Sequence, residues 1–199
     1  GTFSTNVLGT VNALEIARHL DSVRVILIVT TDKCYENLGT GRAFRENDPL
    51  GGKDPYSASK ACAEIVTTAY RESFFSPKSR YLTGIASARA GNVIGGGDYS
   101  EDRLIPDIFS FARKSKKIIL RNPQSVRPWQ HVLEPLSGYL LLAEKLYKNK
   151  MKNIEQNWNF GPNISNCKSV MYIAKFLAKH FKLEIKVVGT NDTRAPTKR

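Results

Sequence analysis

The sequence predicts an α/β protein built on a parallel sheet, and three observations support that prediction. Helical and strand-like segments alternate along most of the 199 residues. Residues 24–30 form a nearly continuous run of β-branched and aliphatic side chains, which is typical of a buried parallel strand. A second strand-like segment, residues 83–88, follows a helical segment, so the three together predict a β-α-β unit.

The remaining elements follow from local patterns, taken in chain order. Residues 5–20 carry apolar side chains at helical spacing. Asp54 can cap a helix that runs to about residue 74, and Pro106 and Pro135 are each expected to open a helix. The other predicted elements are a long loop at 31–53, a glycine-rich turn at 92–98, short strands at 118–120 and 157–160, a helix at 169–181, an edge strand at 183–187 and a loose basic tail at 191–199.

The helix after Asp54 has an apolar face that we expect to pack on the sheet. Its members recur at helical spacing, and they are Ala58, Cys62, Ile65, Val66 and Ala69.

Composition narrows the classes of partner. The formal net charge is +12, which is compatible with nucleic acid or with an anionic small molecule. No basic groove with interleaved aromatic residues is evident, so we expect no nucleic-acid partner. The apolar run 25–29 is too short to span a bilayer, and we expect no signal peptide. Three scattered cysteines favour a reducing, cytoplasmic location and argue against a metal site or a disulfide framework.

Tyr56 and Lys60 lie one helical turn apart and share a face of the predicted helix. An ammonium group beside a tyrosine favours the phenolate, so the pair can transfer a proton. The spacing is also compatible with two ordinary surface residues. What favours chemistry is the upstream strand, which ends in Thr31, Asp32 and Lys33, because side chains at strand ends collect around ligands in α/β proteins.

The other candidate residues also have a structural alternative. Asp32 and Lys33 could act as acid and base on adjacent carbons of one substrate, or they could form a surface turn. Asn92, beside the glycine turn, could present donors to phosphate groups, or it could belong to an ordinary turn. Arg103 and Arg127 could clamp a diphosphate, since the guanidinium fork matches phosphate oxygens, or they could be surface arginines.

These motifs resemble the extended short-chain dehydrogenase/reductase family and, within it, the nucleotide-sugar 4,6-dehydratases that act on CDP-glucose. Thr31-Asp32-Lys33 is the most discriminating part of the resemblance. The fold that it implies is a truncated Rossmann-like doubly wound parallel sheet with a small C-terminal substrate-binding part. Residues 1–95 would belong to the NAD-binding domain with the catalytic residues, and residues 96–199 would mainly bind substrate. The segments that carry the resemblance are 6–10, 31–36, 45–49, 54–60, 87–98 and 127–132.

The resemblance implies an internal redox reaction on a nucleotide sugar, with NAD as cofactor. Tyr56, activated by Lys60, would take the proton of the sugar 4-hydroxyl, and both residues would also contact the cofactor. Lys33 would remove the C5 proton, Asp32 would protonate the departing 6-hydroxyl, and Thr31 would hold the 4-oxygen. Because a base must be neutral, we expect Lys33 to be shielded from water in a closed site. The residues implied for the nucleotide diphosphate are Asn92, Arg103 and Arg127.

The family's Gly-x-x-Gly-x-x-Gly turn, which holds the cofactor diphosphate, is absent from these 199 residues. We therefore expect an internal portion of a longer enzyme that forms a homo-oligomer at full length, and weak NAD binding by this portion. Two other functions stay open. One is a related nucleotide-sugar epimerase or dehydrogenase, although epimerisation at C4 needs no acid for a 6-hydroxyl. The other is an inactive remnant that acts only as a binding module.

Overall fold

The structure is a computed structural model that describes residues 1–39, 41–75, 83–114, 117–149 and 156–188. The predicted tail at 191–199 lies outside the described residues. Within the described ranges, no helix has the length and apolar character to cross a membrane. The elements in chain order are a π-helical segment (Ser4–Leu8), α1 (Gly9–Ala17), β1 (Val25–Val29), a 3-10 helix (Asp32–Cys34), α2 (Pro55–Phe74), β2 (Gly84–Ala90), β3 (Val93–Ile94), α3 (Leu104–Arg113), β4 (Ile118–Leu120), β5 (Val126–Arg127), β6 (Gln130–His131), α4 (Leu133–Asn149), β7 (Asn157–Phe160), a 3-10 turn (Ile164–Asn166), β8 (Lys168–Ser169), α5 (Val170–Phe181) and β9 (Ile185–Val187).

The first of two compact units comprises Gly1–Gly91 and His131–Gly161. Its sheet has three parallel strands in the order β1-β2-β7, with Val29 of β1 paired to Ala88 of β2 and Ala88 paired to Trp158 of β7. Parallel strands all end at the same edge of a sheet. The segment that follows β1 therefore starts at the carboxyl edge, where ligands bind in open α/β sheets.

Helices cover both faces of this sheet, which is the doubly wound arrangement that the sequence predicts. On one face, Ile26 of β1 and Ile85 of β2 pack with Leu14 of α1. On the other face, Ala86 of β2 packs with Leu142 of α4. Neighbouring residues of a strand point to opposite faces, so the run of apolar residues in β1 supplies both layers.

The apolar side predicted for α2 is buried only in part: Val66 packs against the cluster that contains Ile85 of β2, but the fully buried residues of the helix lie elsewhere. Ile65 is 58% exposed and Ala69 is also exposed. The reason is electrostatic, because Glu64 forms a buried ion pair with Arg89 of β2. An ionised group left buried without its partner costs more than the roughly 1.5–3 kcal/mol that burial of an isoleucine contributes. The residues on the buried side are Ser57, Ser59, Ala61, Ala63, Glu64, Thr67 and Arg71.

The second unit comprises Asn92–Gln130 and Pro162–Arg199. Its core joins Ile108 of α3 and Leu120 of β4 to Ala174 of α5. Strand β4 pairs in parallel with β9, which confirms a strand within 183–187, and β5 pairs antiparallel with β8. The sequence did not predict β5 and β8, because a strand of two residues carries no alternation to detect.

Several helix boundaries differ from the predicted ones. Pro106 and Pro135 do not open their helices, since α3 begins at Leu104 and α4 at Leu133. Both prolines still lie in the first turn, where backbone N–H groups have no partner within the helix, so proline is tolerated there. The first helical segment ends at Ala17 rather than at residue 20, and it begins as a π-helix.

Candidate active site

An N-terminal cap fixes the start of α2 and, with it, the backbone of Tyr56. Asp54 Oδ1 accepts hydrogen bonds from the backbone N–H groups of Tyr56 (3.0 Å) and Ser57 (3.1 Å), and its Oδ2 accepts from Ser57 Oγ (2.6 Å). These hydrogen bonds, the Ser57 hydroxyl first among them, hold the pKa of Asp54 below its ordinary value. Tyr56 is 43% exposed, so its side chain can meet a ligand.

Lys60 lies one helical turn after Tyr56, at the carboxyl edge of the sheet. Its Nζ donates a hydrogen bond to the carbonyl oxygen of Val29, the last residue of β1, at 3.3 Å. Burial lowers the pKa of Lys60, and the negative charge of Glu64 opposes that shift. Positions four apart on a helix share a face, so Lys60 and Tyr56 lie on the same side of α2 near this edge.

Thr31, Asp32 and Lys33 come directly after β1. Thr31 is buried and caps the 3-10 helix, where its Oγ1 donates to Asp32 Oδ1 (3.2 Å) and accepts from the Lys33 backbone N–H (3.3 Å). This 3-10 helix packs against α2, and its buried Cys34 contacts Ala61. The segment that carries the triplet therefore lies beside the helix that carries the tyrosine–lysine pair.

Lys33 and Asp32 differ in their access to water. Asp32 is half-buried, whereas Lys33 is exposed. The described residues thus do not shield Lys33 as a neutral base would require. Its shielding stays a prediction for a site that is closed around a substrate.

The three predicted diphosphate ligands all lie in the second unit. Arg103 directly precedes α3 and forms an exposed ion pair with Asp98 at 3.8 Å. Arg127 is exposed, and its Nη1 donates to the carbonyl oxygen of Val126 (3.1 Å). Asn92 is half-buried, and its backbone carbonyl accepts from Gln130 N–H (3.2 Å). Their role at a diphosphate stays a prediction.

Lys168 is a cation that the sequence reasoning did not single out. It is paired with Arg127 across the β5–β8 ladder. Its Nζ donates to the carbonyl oxygen of Ser165 (2.8 Å) and lies 5.7 Å from the centre of the Tyr172 ring. Lys168 becomes a neighbour of Arg127 only through the pairing of two short strands, and sequence spacing does not reveal that pairing.

A buried carboxylate behind Lys60 was also missed. Glu64 accepts hydrogen bonds from Thr30 Oγ1, from Ser87 Oγ (2.6 Å) and from Arg89 Nη2 (2.8 Å). The Arg89 and Glu64 side chains are only 2% and 1% exposed. The available signal was an arginine inside an otherwise small and apolar strand, which requires a buried partner.

Arg89 extends this network to the loop that follows β1. Its Nη1 donates to Tyr35 Oη (2.7 Å) and to the carbonyl oxygen of Glu46 (3.0 Å). Tyr35 Oη in turn donates to Asn159 Oδ1 of β7 (2.6 Å), and the Asn159 backbone N–H donates to Glu46 Oε1 (2.9 Å). The network thus joins two strands of the sheet to both ends of the 35–46 segment.

The cysteines are free thiols with different surroundings. Cys34 is fully buried, and burial raises its pKa to about 12. Cys62 and Cys167 are partly exposed. Among the described residues, no group of three His, Cys, Asp or Glu side chains is arranged to hold a metal ion.

Comparison with known sequences identifies close relatives. The family described as GDP-mannose 4,6 dehydratase matches residues 1–182. CDP-glucose 4,6-dehydratase of Salmonella typhimurium is 51% identical over 174 residues, which is 86% of this chain and 48% of the relative. dTDP-glucose 4,6-dehydratase of Haemophilus influenzae is 28% identical over 170 residues, which is 80% of this chain and 46% of the relative. The chain thus spans about half the length of these curated relatives.

Solved structures confirm the Rossmann-like fold. A dTDP-glucose 4,6-dehydratase from Bacillus anthracis, in complex with NAD, superposes with a TM-score of 0.79 at 28% identity, covering 96% of this chain and 58% of the other. A UDP-glucose 4-epimerase from Thermus thermophilus, also in complex with NAD, gives 0.73 at 22% identity, covering 96% and 60%. At that identity the second likeness concerns the fold alone.

Proposed function

Because the chain belongs to the family described as GDP-mannose 4,6 dehydratase, we propose that the protein dehydrates CDP-glucose to CDP-4-keto-6-deoxyglucose with NAD as its cofactor. The observation that carries the proposal is the position of Asp32 and Lys33, an acid and an amine at the end of β1, on a segment packed against the helix of Tyr56 and Lys60. The 51% identity to a CDP-glucose 4,6-dehydratase supports the choice of nucleotide.

The first task of the site is to take a proton from the sugar 4-hydroxyl. Tyr56 performs it as the phenolate, which the Lys60 ammonium stabilises from the same helix face. Thr31 Oγ1 donates a hydrogen bond to the 4-oxygen, which requires its present hydrogen bond to Asp32 Oδ1 to be exchanged.

The second task is elimination of water across C5 and C6. The 4-keto group acidifies the C5 proton, and Lys33 removes it as a neutral amine. Asp32 then protonates the departing 6-hydroxyl, which leaves as water, and the protonated Lys33 returns a proton to C5 when hydride is delivered to C6. A C4 epimerase has no leaving hydroxyl at C6 and needs no such acid, which is why this pair favours a dehydratase.

Residues of this chain fit one part of an NAD site. Lys60 is held at the carboxyl edge of the sheet by Val29, and that edge is where dinucleotides bind in this class of fold. Tyr56 and Lys60 are the residues that would contact the cofactor. When bound, NAD would supply the redox chemistry, as the acceptor of hydride from C4 and its donor to C6.

The remaining parts of the proposal concern the diphosphate and the assembly. Asn92, Arg103 and Arg127 would hold the substrate diphosphate, and the two arginines are exposed enough to do so. We also propose a cytoplasmic enzyme that acts as a homo-oligomer. The exposed apolar side chains Ile16 of α1 and Ile65 of α2 support the second point.

Isotope tracing tests the proposed reaction in the purified protein that carries this chain. CDP-glucose deuterated at C4 should yield a 6-deoxy product with that deuterium at C6, and in D₂O one solvent deuterium should enter at C5. Inversion at C4 with the 6-hydroxyl retained would instead indicate an epimerase. Absence of any sugar product would overturn enzymatic function. Parallel assays with UDP-, GDP- and dTDP-glucose measure the nucleotide preference.

A matched pair of variants tests the role of Lys33. Lys33→Ala should lower 6-deoxy product formation by roughly 10²–10⁴-fold. The 4-keto sugar that still retains its 6-hydroxyl should accumulate, and borodeuteride trapping followed by mass spectrometry detects it. Lys53→Ala removes another exposed lysine of the same loop and should leave product formation unchanged. A Lys33→Ala variant that makes 6-deoxy sugar at the parent rate would contradict the assignment.

A further inference from the structure

Glu64 lies two helical turns after Tyr56 and one turn after Lys60, on the same side of α2. Its carboxylate is buried and accepts from three donors. Two of them, Ser87 Oγ and Arg89 Nη2, belong to β2, and the third, Thr30 Oγ1, follows the last residue of β1. One side chain of α2 is therefore hydrogen-bonded both to β2 and to the residue that follows β1.

The contacts of Glu64 and Lys60 close a ring between α2 and the end of β1. Lys60 donates to the carbonyl oxygen of Val29, and the next residue, Thr30, donates its hydroxyl to Glu64. Thr30 is itself held in the sheet, since its backbone N–H donates to the carbonyl oxygen of Ala88 (2.8 Å). The ring fixes the rotation of α2 about its axis, and its position along that axis, relative to the strand end that leads into Thr31.

We propose that Glu64 is a positioning residue of the tyrosine–lysine pair: its carboxylate locks α2 to the end of β1, so that Lys60 keeps its hydrogen bond to Val29 and Tyr56 keeps one register with that strand end. The inference deepens the proposed function and rests on it for the chemical role of the pair. It assigns to Glu64 no contact with substrate or cofactor.

Electrostatics adds a second reason for a carboxylate at this position. Burial lowers the pKa of Lys60, and the charge of Glu64 is the influence that raises it. The charged groups that interact with Glu64 are Arg89 from β2 and Arg71 from α2, and Asp32 of the 3-10 helix acts, like Glu64 and Arg89, on the buried Cys34. Arg89 and Arg71 are cations, and Glu64 faces both of them. Removal of the Glu64 charge would therefore remove the influence that opposes the burial-induced lowering of the Lys60 pKa.

The first test measures the pKa of Lys60 directly, with Glu64→Gln as the perturbation. Competitive acetylation of lysines across a pH series, read by mass spectrometry, gives the titration of that single amine and needs no substrate. We expect the midpoint to fall by about one pH unit, because an attraction across one helical turn at moderate dielectric is lost. If Glu64 only filled space, glutamine, which has nearly the same shape, would leave the midpoint unchanged. An unchanged or raised midpoint would overturn the inference.

A second pair of variants keeps the inference testable where Glu64→Gln does not fold. Thr30→Val breaks the ring but retains the charges of Glu64 and Arg89. Thr67→Val makes the same chemical change on α2, where the buried Thr67 hydroxyl donates only locally, to the carbonyl oxygen of Ala63 (2.7 Å). We expect faster acetylation of Lys60 in Thr30→Val than in Thr67→Val. Equal acetylation rates of Lys60 in these two variants would overturn the inference that the ring positions Lys60.

Kinetics of the same two variants separates positioning from stability. Thr30→Val should lower kcat about tenfold with KM unchanged, whereas Thr67→Val should leave both near the parent values. An equal kcat in the two variants would contradict a positioning role. If the parent protein transforms no nucleotide sugar, the proposed function fails, and the acetylation measurements still decide the role of Glu64.

Discussion

Replacement of Arg89 with methionine would leave the Glu64 carboxylate buried without its cation. Arg89 donates to Glu64 Oε2 (2.8 Å), to Tyr35 Oη (2.7 Å) and to the Glu46 carbonyl (3.0 Å), and its side chain is 2% exposed. Removal of one partner from a buried ion pair costs about 3–5 kcal/mol. For a chain of this size that corresponds to a fall in Tm of roughly 6–20 °C.

Urea unfolding of the parent, of Arg89→Met, of Glu64→Gln and of the double variant measures this cost and its origin. Each single change leaves the other residue buried without its ion-pair partner. The double variant should therefore lose less free energy of unfolding than the sum of the two single variants, by about 0.5–3 kcal/mol. Arg42→Met serves as the matched control. Arg42 also pairs with a carboxylate, Asp48, through two hydrogen bonds, but more than half of its side chain is exposed, so we expect little effect. Additive single costs, or an Arg89→Met cost below about 1 kcal/mol, would refute the reasoning.

Three further predictions concern local structure. Asp54→Ala should lower the free energy of unfolding by about 1 kcal/mol through loss of the α2 cap. Because the folded pKa of Asp54 is lowered from 3.8, the advantage of the parent over Asp54→Asn should be present above that pH and should vanish as pH falls through the folded value, which urea titrations at several pH values can follow. Cys34, whose pKa burial raises to about 12, should resist iodoacetamide at pH 7.5 until the protein unfolds, whereas Cys62 should react in the native state, as peptide mass mapping can show. Gly52→Ala should destabilise by about 1–3 kcal/mol, since a Cβ there would overlap the backbone at the start of α2; Gly161→Ala, which meets open space, should not, and thermal melts of the two variants check this.

Local sequence patterns predicted those helices and strands whose signal lies within the segment itself. The strands at 118–120 and 157–160 have their predicted bounds, and the helix capped by Asp54 ends at Phe74 as expected. A run of β-branched and aliphatic residues, or a cap followed by proline, acts on the backbone of the same segment. Strands β5 and β8 hold together through pairing with each other, about 40 residues apart in the chain, and no local pattern reports that pairing.

The direction in which α2 faces could not be predicted for the same kind of reason. Its apolar residues and its polar residues both recur at helical spacing, so periodicity offers two faces. Arg89 decides between them, and Arg89 lies on a strand that the helix meets only in the folded protein. Tyr56 and Lys60 could be identified as candidates because a helix places positions four apart on one side. Glu64, eight positions after Tyr56, looks in sequence like an ordinary exposed helix residue.

Stability alone does not account for the buried pair of Glu64 and Arg89. Replacement of a buried ion pair by well-packed apolar residues is often neutral or stabilising, so an apolar face on α2 would serve the core at least as well. Apolar side chains, however, tolerate small rotations and shifts of a helix, whereas the hydrogen bonds from Thr30, Ser87 and Arg89 to one carboxylate do not. A carboxylate at this position also offsets the desolvation of Lys60. The polar side of α2 therefore makes physical sense where the helix must present a tyrosine and a charged lysine in one fixed register with the end of β1.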